Sequence, residues 1–451
     1  MFGVILQKFA KNSPVTVMVQ GLLVRILNPA AIDEWFESVR GVQYTRDILF
    51  SSVVAVMLQV VCRVRSSVHA AYLNSDMNSS RIALYYKLQG IELNTSRELV
   101  RHVAKESEIL IREIKGNNRA VLPGYRVKFL DGNCIESTEH RLNVLRETNA
   151  GALPGKSLVV FDPEFGIAID VIPCEDGHAQ ERSLLSEIIG ITDPNDLWVS
   201  DRNFCVQGFL FGIAGRGGFF NIREHNNMPW KPKSPIEFIG ETESGKIYEQ
   251  KALLSSENGT ELEVRRIVVK LNNPIRNGET ELALFTNIPV EDADAIKIAE
   301  IYRLRWGIET AFQKLEKHLN SEINTLAYPK AALSGFCIAL VAFNIYAVVM
   351  AALRAAHPEK DINEEVSEYY IAEEISTTYN GMMIGVPDEE WNIFRNGTVP
   401  EAGALLVELA SRMDLSKFKK NKRGPKKPTP LKTKFKGKPH VSTAKLLAAE
   451  G

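Results

Sequence analysis

Tyr302, Arg305 and Glu309 stand three and four residues apart in the run Tyr302-Arg303-Leu304-Arg305-Trp306-Gly307-Ile308-Glu309. On a helix that turns about 100° per residue, the three fall within roughly 60° of one another. A carboxylate flanked by a guanidinium and a phenol suits a site that handles phosphate, since guanidinium binds phosphate oxygens bidentately. Two further acids, Asp131 and Asp201, each follow a short apolar run with strand character. Hard divalent cations take oxygen ligands, and Mg²⁺ is commonly held by a few carboxylates with water and substrate phosphate. A pair of such ions about 3.5–4 Å apart activates one oxygen and stabilises another in an in-line displacement. Three acids from distant parts of a chain fit that chemistry. The same spacing also fits an amphipathic helix with a surface Arg–Glu pair, and strand-end aspartates often only cap turns.

The elements around these residues must bring them together. Ile301, Leu304, Ile308, Phe312, Leu315 and Leu319 make an apolar stripe that would seat the helix on a core. Tyr125–Asp131 alternates like a strand, with Val127, Phe129 and Asp131 on one face, and Gly132-Asn133 would let the chain turn away after it. Leu158–Phe161 and Ile167–Ile172 flank the turn Asp162-Pro163-Glu164-Phe165-Gly166 and read as a hairpin. Ala179–Ile189 reads as a helix, Leu197–Ser200 as a strand ending on Asp201, Phe204–Ala214 as a helix and Gly218–Ile222 as a strand. Residues 225–288 are rich in alternating Thr, Val, Ile and Glu and read as mostly β. Residues 1–120 read as helical, with Ala30–Val39, Ile48–Val64 and Ser96–Ile114 the clearest segments. The runs Ser79–Leu88 and Thr95–Val100 around Gln89-Gly90 fit a helix-turn-helix reader of DNA, and a plain helical hairpin equally. The expected fold is α/β, a mixed sheet interrupted late by a β-rich insertion.

Composition narrows the class. The 451 residues are enough for two to four domains, with ordinary hydrophobic (45%) and charged (24%) fractions. Five scattered cysteines form no CxxC pair, which argues against a disulfide framework or structural zinc and fits a reducing cytoplasm. Gly215–Gly218 (GRGG) lacks the Lys-Ser/Thr of a P-loop, so no nucleotide cofactor is implied. Ala331–Leu353 is apolar enough to suggest a membrane span, but Ser334, Gly335, Asn344 and Tyr346 inside it favour a buried core helix. His140, His178 and His225 stand alone, and Asp170, Glu175, Asp176 and Glu181 read as solvated charges, with Glu181 or Arg182 able to face the site. The net charge of −1 conceals eleven lysines and arginines without an acid between Lys417 and Lys438, leaving −12 on the rest of the chain. A basic tail of this kind, including Lys419, Lys420, Lys422 and Arg423, is expected to contact nucleic acid.

The residues around the three acids resemble the DDE transposases of bacterial insertion sequences, in particular those whose third block carries a Tyr-x2-Arg-x3-Glu signature extended by a lysine (the YREK type). Tyr302, Arg305 and Glu309 match that spacing, with Trp306 and Ile308 fitting beside them. Asp131-Gly132-Asn133 with Thr138-Glu139-His140-Arg141-Leu142 resembles the first block, and Leu197–Phe204 around Asp201 the second. His440–Lys445 is similar to endings in this family. The resemblance covers roughly residues 126–353. The signature lysine would fall at position 316, which is Glu316, and Lys317 follows it.

This resemblance implies a ribonuclease-H-like catalytic core (121–224 and 289–356) carrying a β-rich insertion (225–288). A helical N-terminal region (1–120) would bind end DNA, and a C-terminal region (357–451) with the basic tail would contact DNA or a second copy. It implies Mg²⁺-dependent cutting of transposon ends and strand transfer into target DNA, with Asp131, Asp201 and Glu309 holding two Mg²⁺ ions that Mn²⁺ can replace. Arg305, Tyr302 and Lys317 would contact DNA, and Trp306 or Trp230 would receive a flipped base. The expected partners are transposon-end and target duplexes and a second copy of the chain, at the nucleoid in the bacterial cytoplasm, with no membrane. Glu316 leaves open a catalytically impaired transposase-derived DNA-binding protein, and a host nuclease without strand transfer would use the same acids.

Overall fold

The computed structural model describes every residue except 1, 44–46, 137, 139–141, 257, 276–277, 422–438 and 451. The first part of the chain is helical: α1 (Val4–Asn12), α2 (Pro14–Ile26), α3 (Pro29–Val39), α4 (Phe50–Val61), α5 (Val68–Leu73), α6 (Arg81–Gly90) and α7 (Leu93–Glu113). Local chemistry sets several of these starts. Pro14 and Pro29 open α2 and α3, and the side chains of Asn28, Ser67 and Ser80 accept from the first free amides of α3, α5 and α6.

The central sheet follows. It comprises β1 (Arg126–Ile135), β3 (Gly155–Asp162), β4 (Ile167–Cys174), β5 (Asp196–Ser200), β6 (Phe219–Arg223), β7 (Trp230–Pro232), β8 (Glu237–Thr242), β9 (Gly245–Ser255), β10 (Glu261–Leu271) and β11 (Glu281–Thr286). The strand order is β4-β3-β1-β5-β6-β11-β10-β9-β7, with β8 also on β9. β1, β5 and β6 are parallel, and their crossovers run through α9 (Leu185–Gly190) and α10 (Gln207–Gly215). β3 and β4 form an antiparallel hairpin whose turn is set by Asp162. Its Oδ1 accepts from the amides of Glu164 and Phe165, and Gly166 takes a φ of +70°. The β-rich run of residues 225–288 continues this sheet, because β11 pairs antiparallel with β6.

Two apolar cores cover the two faces. On one face Val127, Phe129, Leu197 and Val199 pack with α7, with α11 (Ala295–Leu304) and α12 (Trp306–Lys317), and with α13 (Pro329–Ala356). On the other, Leu130, Trp198 and Phe220 pack with α9 and α10. α13 is long and apolar enough to cross a membrane, and 94% of its apolar window is buried inside the protein. Asn344, the polar residue that argued for a core position, accepts from the amide of Ala168 (2.8 Å) and donates to its carbonyl (2.9 Å), tying α13 to β4.

Helices α15 (Glu368–Gly385) and α17 (Val399–Ser411) return to pack on α2, α7 and α13, with α14 (Ile362–Glu365) and α16 (Asn392–Arg395) between elements of this group. Thr398 and Glu401 form a reciprocal capping box at the start of α17. Beyond the tail, β12 (His440–Ser442) pairs in parallel with β2 (Gly151–Leu153), and α18 (Thr443–Glu450) packs on α8 (Asn143–Arg146).

Two expectations are corrected. β1 does not end at Asp131 but runs on to Ile135, because β3 keeps pairing with it as far as Ile135↔Gly155. The motif is not one uninterrupted helix: α11 stops at Leu304 and α12 starts at Trp306. At that junction the Arg305 amide donates to the Tyr302 carbonyl and the Ile308 amide to the Arg305 carbonyl, which are tighter i→i−3 bonds. Leu304, expected on the apolar stripe, is therefore turned outward and 45% exposed, while Ile301, Ile308, Leu315 and Leu319 are buried. α7, the second helix of the suggested helix-turn-helix, buries Leu99, Val100, Val103 and Leu110 against α13 and β4. α6 leaves Ile82 and Tyr86 exposed.

Candidate active site

The parallel pairing of β1 with β5 ends at Leu130↔Ser200. Asp131 is the next residue along β1 and Asp201 the first residue after β5, so the two acids stand side by side where this pairing ends. Their parity matches Val127, Phe129, Leu197 and Val199, so both belong to the face covered by α11–α13. Asp201 Oδ1 accepts from the Asn203 amide (2.8 Å), which fixes the turn after β5. Asp131 Oδ1 accepts from the Gly132 amide (2.9 Å).

The motif helix completes the group. The buried Arg305 guanidinium reaches Asp131 Oδ2 through Nη1 (3.2 Å) and Glu309 Oε1 through Nη2 (2.9 Å). It also lies 5.7 Å from the centre of the buried Tyr302 ring. Arg305 thus binds the first and third acids into one cluster, and it is held at the helix junction where the chain tightens. Among the described residues its Nε is buried without a hydrogen-bond partner, as is Nδ2 of Asn133 two residues beyond Asp131.

Electrostatics mark the same place. Burial, countered by Arg305 and reinforced by Asp201 and Glu309, pushes the Asp131 carboxyl up to about 7. Burial, the largest influence on Arg305, would lower it, but Tyr302, Asp131, Glu309 and Asp201 together prevail and hold it above its usual range. The acids therefore outnumber the cation among them. The donor set is oxygen only, which fits a hard divalent ion. As the side chains stand, no three His, Cys, Asp or Glu residues among the described ones close around an ion, and the guanidinium bridges Asp131 and Glu309 instead.

The remaining sequence candidates fall in different places. Trp306 opens α12 and is 55% exposed beside a cavity of about 400 Å³ between the motif helices and the insertion strands, which Tyr302 and Arg303 also line. Trp230 is packed within the insertion: its Nε1 donates to Glu224 (2.8 Å), Arg266 lies over its ring and Phe285 meets it edge-on. Lys317 is exposed in the last turn of α12, and the Glu316 carbonyl before it accepts from Arg63. Lys419 and Lys420 are exposed; Val366 bridges the former, and the latter donates its amide to the Glu365 carbonyl. Lys422 and Arg423 lie outside the described residues, as do Glu139, His140 and Arg141 of the first block.

Some residues were not legible in advance. Asp170 is not a solvated charge. It is buried and gripped side-on, through Nε and Nη2, by Arg97 (2.9 and 2.9 Å) and Arg101 (2.9 and 2.7 Å). Arg202, beside Asp201, pairs with Glu279 of the insertion, which also pairs with Arg223 of β6, tying the turn after the second acid to the insertion. The C-terminal Ser442 and Lys445 bind Asp176 (2.8 and 3.1 Å). Nothing in the local sequence signals these long-range partners.

Residues 123–345 match the model of the transposase DDE domain, a span that contains all three acids and the whole central sheet. The match supports a DDE transposase, and the large mixed sheet is consistent with a ribonuclease-H-like core. Transposases of this family act on DNA and generally use divalent metal ions. No curated protein matches the chain.

Proposed function

We propose that the chain is a cut-and-paste transposase of the YREK type, which cleaves transposon ends and joins them to target DNA. The observation that carries this is the position of Asp131 and Asp201 side by side where the parallel pairing of β1 with β5 ends, with Glu309 tied to Asp131 through Arg305. In this reading Asp131, Asp201 and Glu309 hold two Mg²⁺ ions, for which Mn²⁺ substitutes. Held by these three carboxylates, such ions would supply activation of the attacking oxygen and stabilisation of the leaving 3′ oxygen. In the first step water attacks the end phosphodiester and releases a 3′ hydroxyl. In the second that hydroxyl attacks a target phosphodiester, displacing the target 3′ oxygen.

The chain's own residues prepare these steps. Arg305 holds Asp131 and Glu309 in register, and its unpartnered Nε can take a phosphate oxygen. Tyr302 braces the guanidinium from the core side. Trp306, exposed at the mouth of the cavity beside Tyr302, is placed to stack on an unpaired base. Lys317 and the basic tail around Lys419, Lys420, Lys422 and Arg423 add backbone contacts, the N-terminal helices bind end DNA, and two copies assemble on paired ends.

Asp201→Asn should abolish metal-dependent cleavage of an end-containing duplex while leaving DNA binding intact; surviving cleavage would remove the second acid from the assignment. Deleting residues after Leu415 should flatten the salt dependence of DNA binding by roughly 0.9 for each phosphate that is no longer neutralised. An unchanged slope would make the tail a solubiliser. Glu316 at the signature-lysine position supports a second reading, a DNA-binding protein that no longer cuts. Absence of cleavage by the unaltered chain with Mg²⁺ or Mn²⁺ would favour it.

A further inference from the structure

α7 buries its early residues Thr95, Ser96 and Arg97, and α6 packs Leu84 and Leu88 inward, so near their junction the open face is that of α6. Arg81, Tyr85 and Gln89 share that face at i, i+4 spacing. With Ser67 at the start of α5, and with Thr325 and Tyr328 from the segment joining α12 to α13, they line a cleft of about 650 Å³. Among the described residues no Asp or Glu lines it. Guanidinium, hydroxyl and amide donors without a carboxylate suit an anion, and these are the side-chain types that contact DNA phosphates. Thr325 Oγ1 has no hydrogen-bond partner among the described residues, and a turn about its χ1 would carry the hydroxyl into the cleft. Residues 63–90 also hold Arg63, Arg65, Arg81 and Lys87 against a single acid, Asp76, whereas the chain outside the basic tail carries −12 overall.

This cleft adjoins the motif helix. Arg63 donates to the Glu316 and Leu319 carbonyls (3.2 and 3.1 Å), and the Asn320 amide donates to the Val61 carbonyl (2.8 Å), so the chain leading into α5 is fastened to the end of α12. Glu309 and Lys317 lie roughly 12 Å apart along α12. The chain from Lys317 to Thr325 spans no more than roughly 28 Å. The cleft is therefore within roughly 40 Å of the third acid, or about 12 base pairs of duplex. We propose that the cleft grips the phosphodiester backbone of the duplex being cut, with Arg81 on one phosphate and the surrounding hydroxyls on its neighbours. This rests on the reading of the chain as a transposase. Phosphate contacts fix register without reading sequence, so the cleft sets how far along the bound duplex the cut falls.

The test is binding of the full chain to a duplex carrying the DNA that borders its own coding sequence, measured across salt concentrations. Ethylation interference locates the phosphates, and the thermal midpoint reports on the fold of each variant. Arg81→Ala should raise the Kd roughly tenfold and flatten the salt slope by about 0.9. It should also relieve interference at phosphates within about 12 base pairs of the cut. Thr325→Val removes a hydroxyl and no charge. It should raise the Kd about threefold at an unchanged salt slope, with a thermal midpoint no lower, since that hydroxyl has no bond to lose. Unchanged Kd, slope and interference in Arg81→Ala, in a chain that still cuts, would overturn the cleft and leave the transposase reading standing. A loss confined to Arg81→Ala, with no interference relieved, would assign the effect to overall charge and overturn the cleft as well. So would inorganic phosphate that binds the unaltered chain and not Arg81→Ala, by ³¹P resonance, while duplex affinity stays the same. If the unaltered chain neither binds nor cuts the duplex, the transposase reading fails and this proposal with it.

Discussion

Asp170 and Asp131 are both aspartates on strands of the same sheet, both largely withdrawn from water and both bonded to buried arginine. Asp170 meets two guanidiniums side-on, from Arg97 and Arg101 one helical turn apart on α7. Burial would raise its carboxyl, but those bonds prevail and hold it below the ordinary carboxylate value. Asp131 shares a single guanidinium with Glu309 and faces Asp201 as well, and its carboxyl rises to about 7. In the first cluster two guanidiniums hold one buried carboxylate, with Glu98 and Glu187 also paired to them, and fasten α7 to β4. The second has one guanidinium for three acids, where the pairing of β1 with β5 ends. Buried ionic groups whose partners satisfy them hold a fold together, whereas those left with surplus charge mark a place for a ligand of the opposite sign.

The largest effect that would sharpen this contrast is catalytic. Glu309→Gln should lower end cleavage by more than roughly a thousandfold, about 4 kcal/mol of transition-state stabilisation, with little change in the urea midpoint. A variant that unfolds instead would make the cluster structural, like that of Asp170. Next comes Asp170→Asn, which leaves Arg97 buried with its main partner neutralised. It should cost about 3–5 kcal/mol in urea unfolding. The contribution of Asp170, with its pKa depressed in the folded state, is present above the ordinary carboxylate pKa and is lost only as pH falls through the still lower folded value. A variant as stable as the parent at pH 7 would break the comparison.

The smallest effect has the opposite sign. The Asp131 carboxyl is raised in the folded chain, so the unfolded chain gives up that proton first, and stability falls as pH rises through about 7. In metal-free buffer Asp131→Asn should therefore be more stable than the parent at pH 8, by about 1–2 kcal/mol, with the gain shrinking towards pH 5. Equal stability at both pH values would mean that Arg305 fully compensates the charge.

Strand and helix identities around the site were legible because hydrophobic period and turn chemistry are local. The β3–β4 hairpin follows from its Asp-Pro-Glu-Phe-Gly turn and β5 from an apolar run closed by Asp201, while α13 is an apolar helix whose Asn344 bonds to Ala168. Errors arose where a partner strand or a helix junction decided. β1 continues past Asp131 because β3 is there to pair with it, and Leu304 turns outward because the backbone tightens at Arg305. The β-rich run was visible from its alternation, but its joining to the central sheet through β11 and β6 was not.

By itself the sequence determined which residue types are available for phosphoryl chemistry, and the Tyr302, Arg305, Glu309 spacing that puts them on one edge of a helical turn. Those are properties of chain geometry over a few residues. Tertiary structure alone decided that Asp131 and Asp201 stand side by side, that Arg305 joins Asp131 to Glu309, and that Asp170 is a fastening. Each of these depends on strand order and on which face of the sheet a side chain occupies, and both are settled by burying apolar surface across the whole sheet rather than by any short stretch of chain.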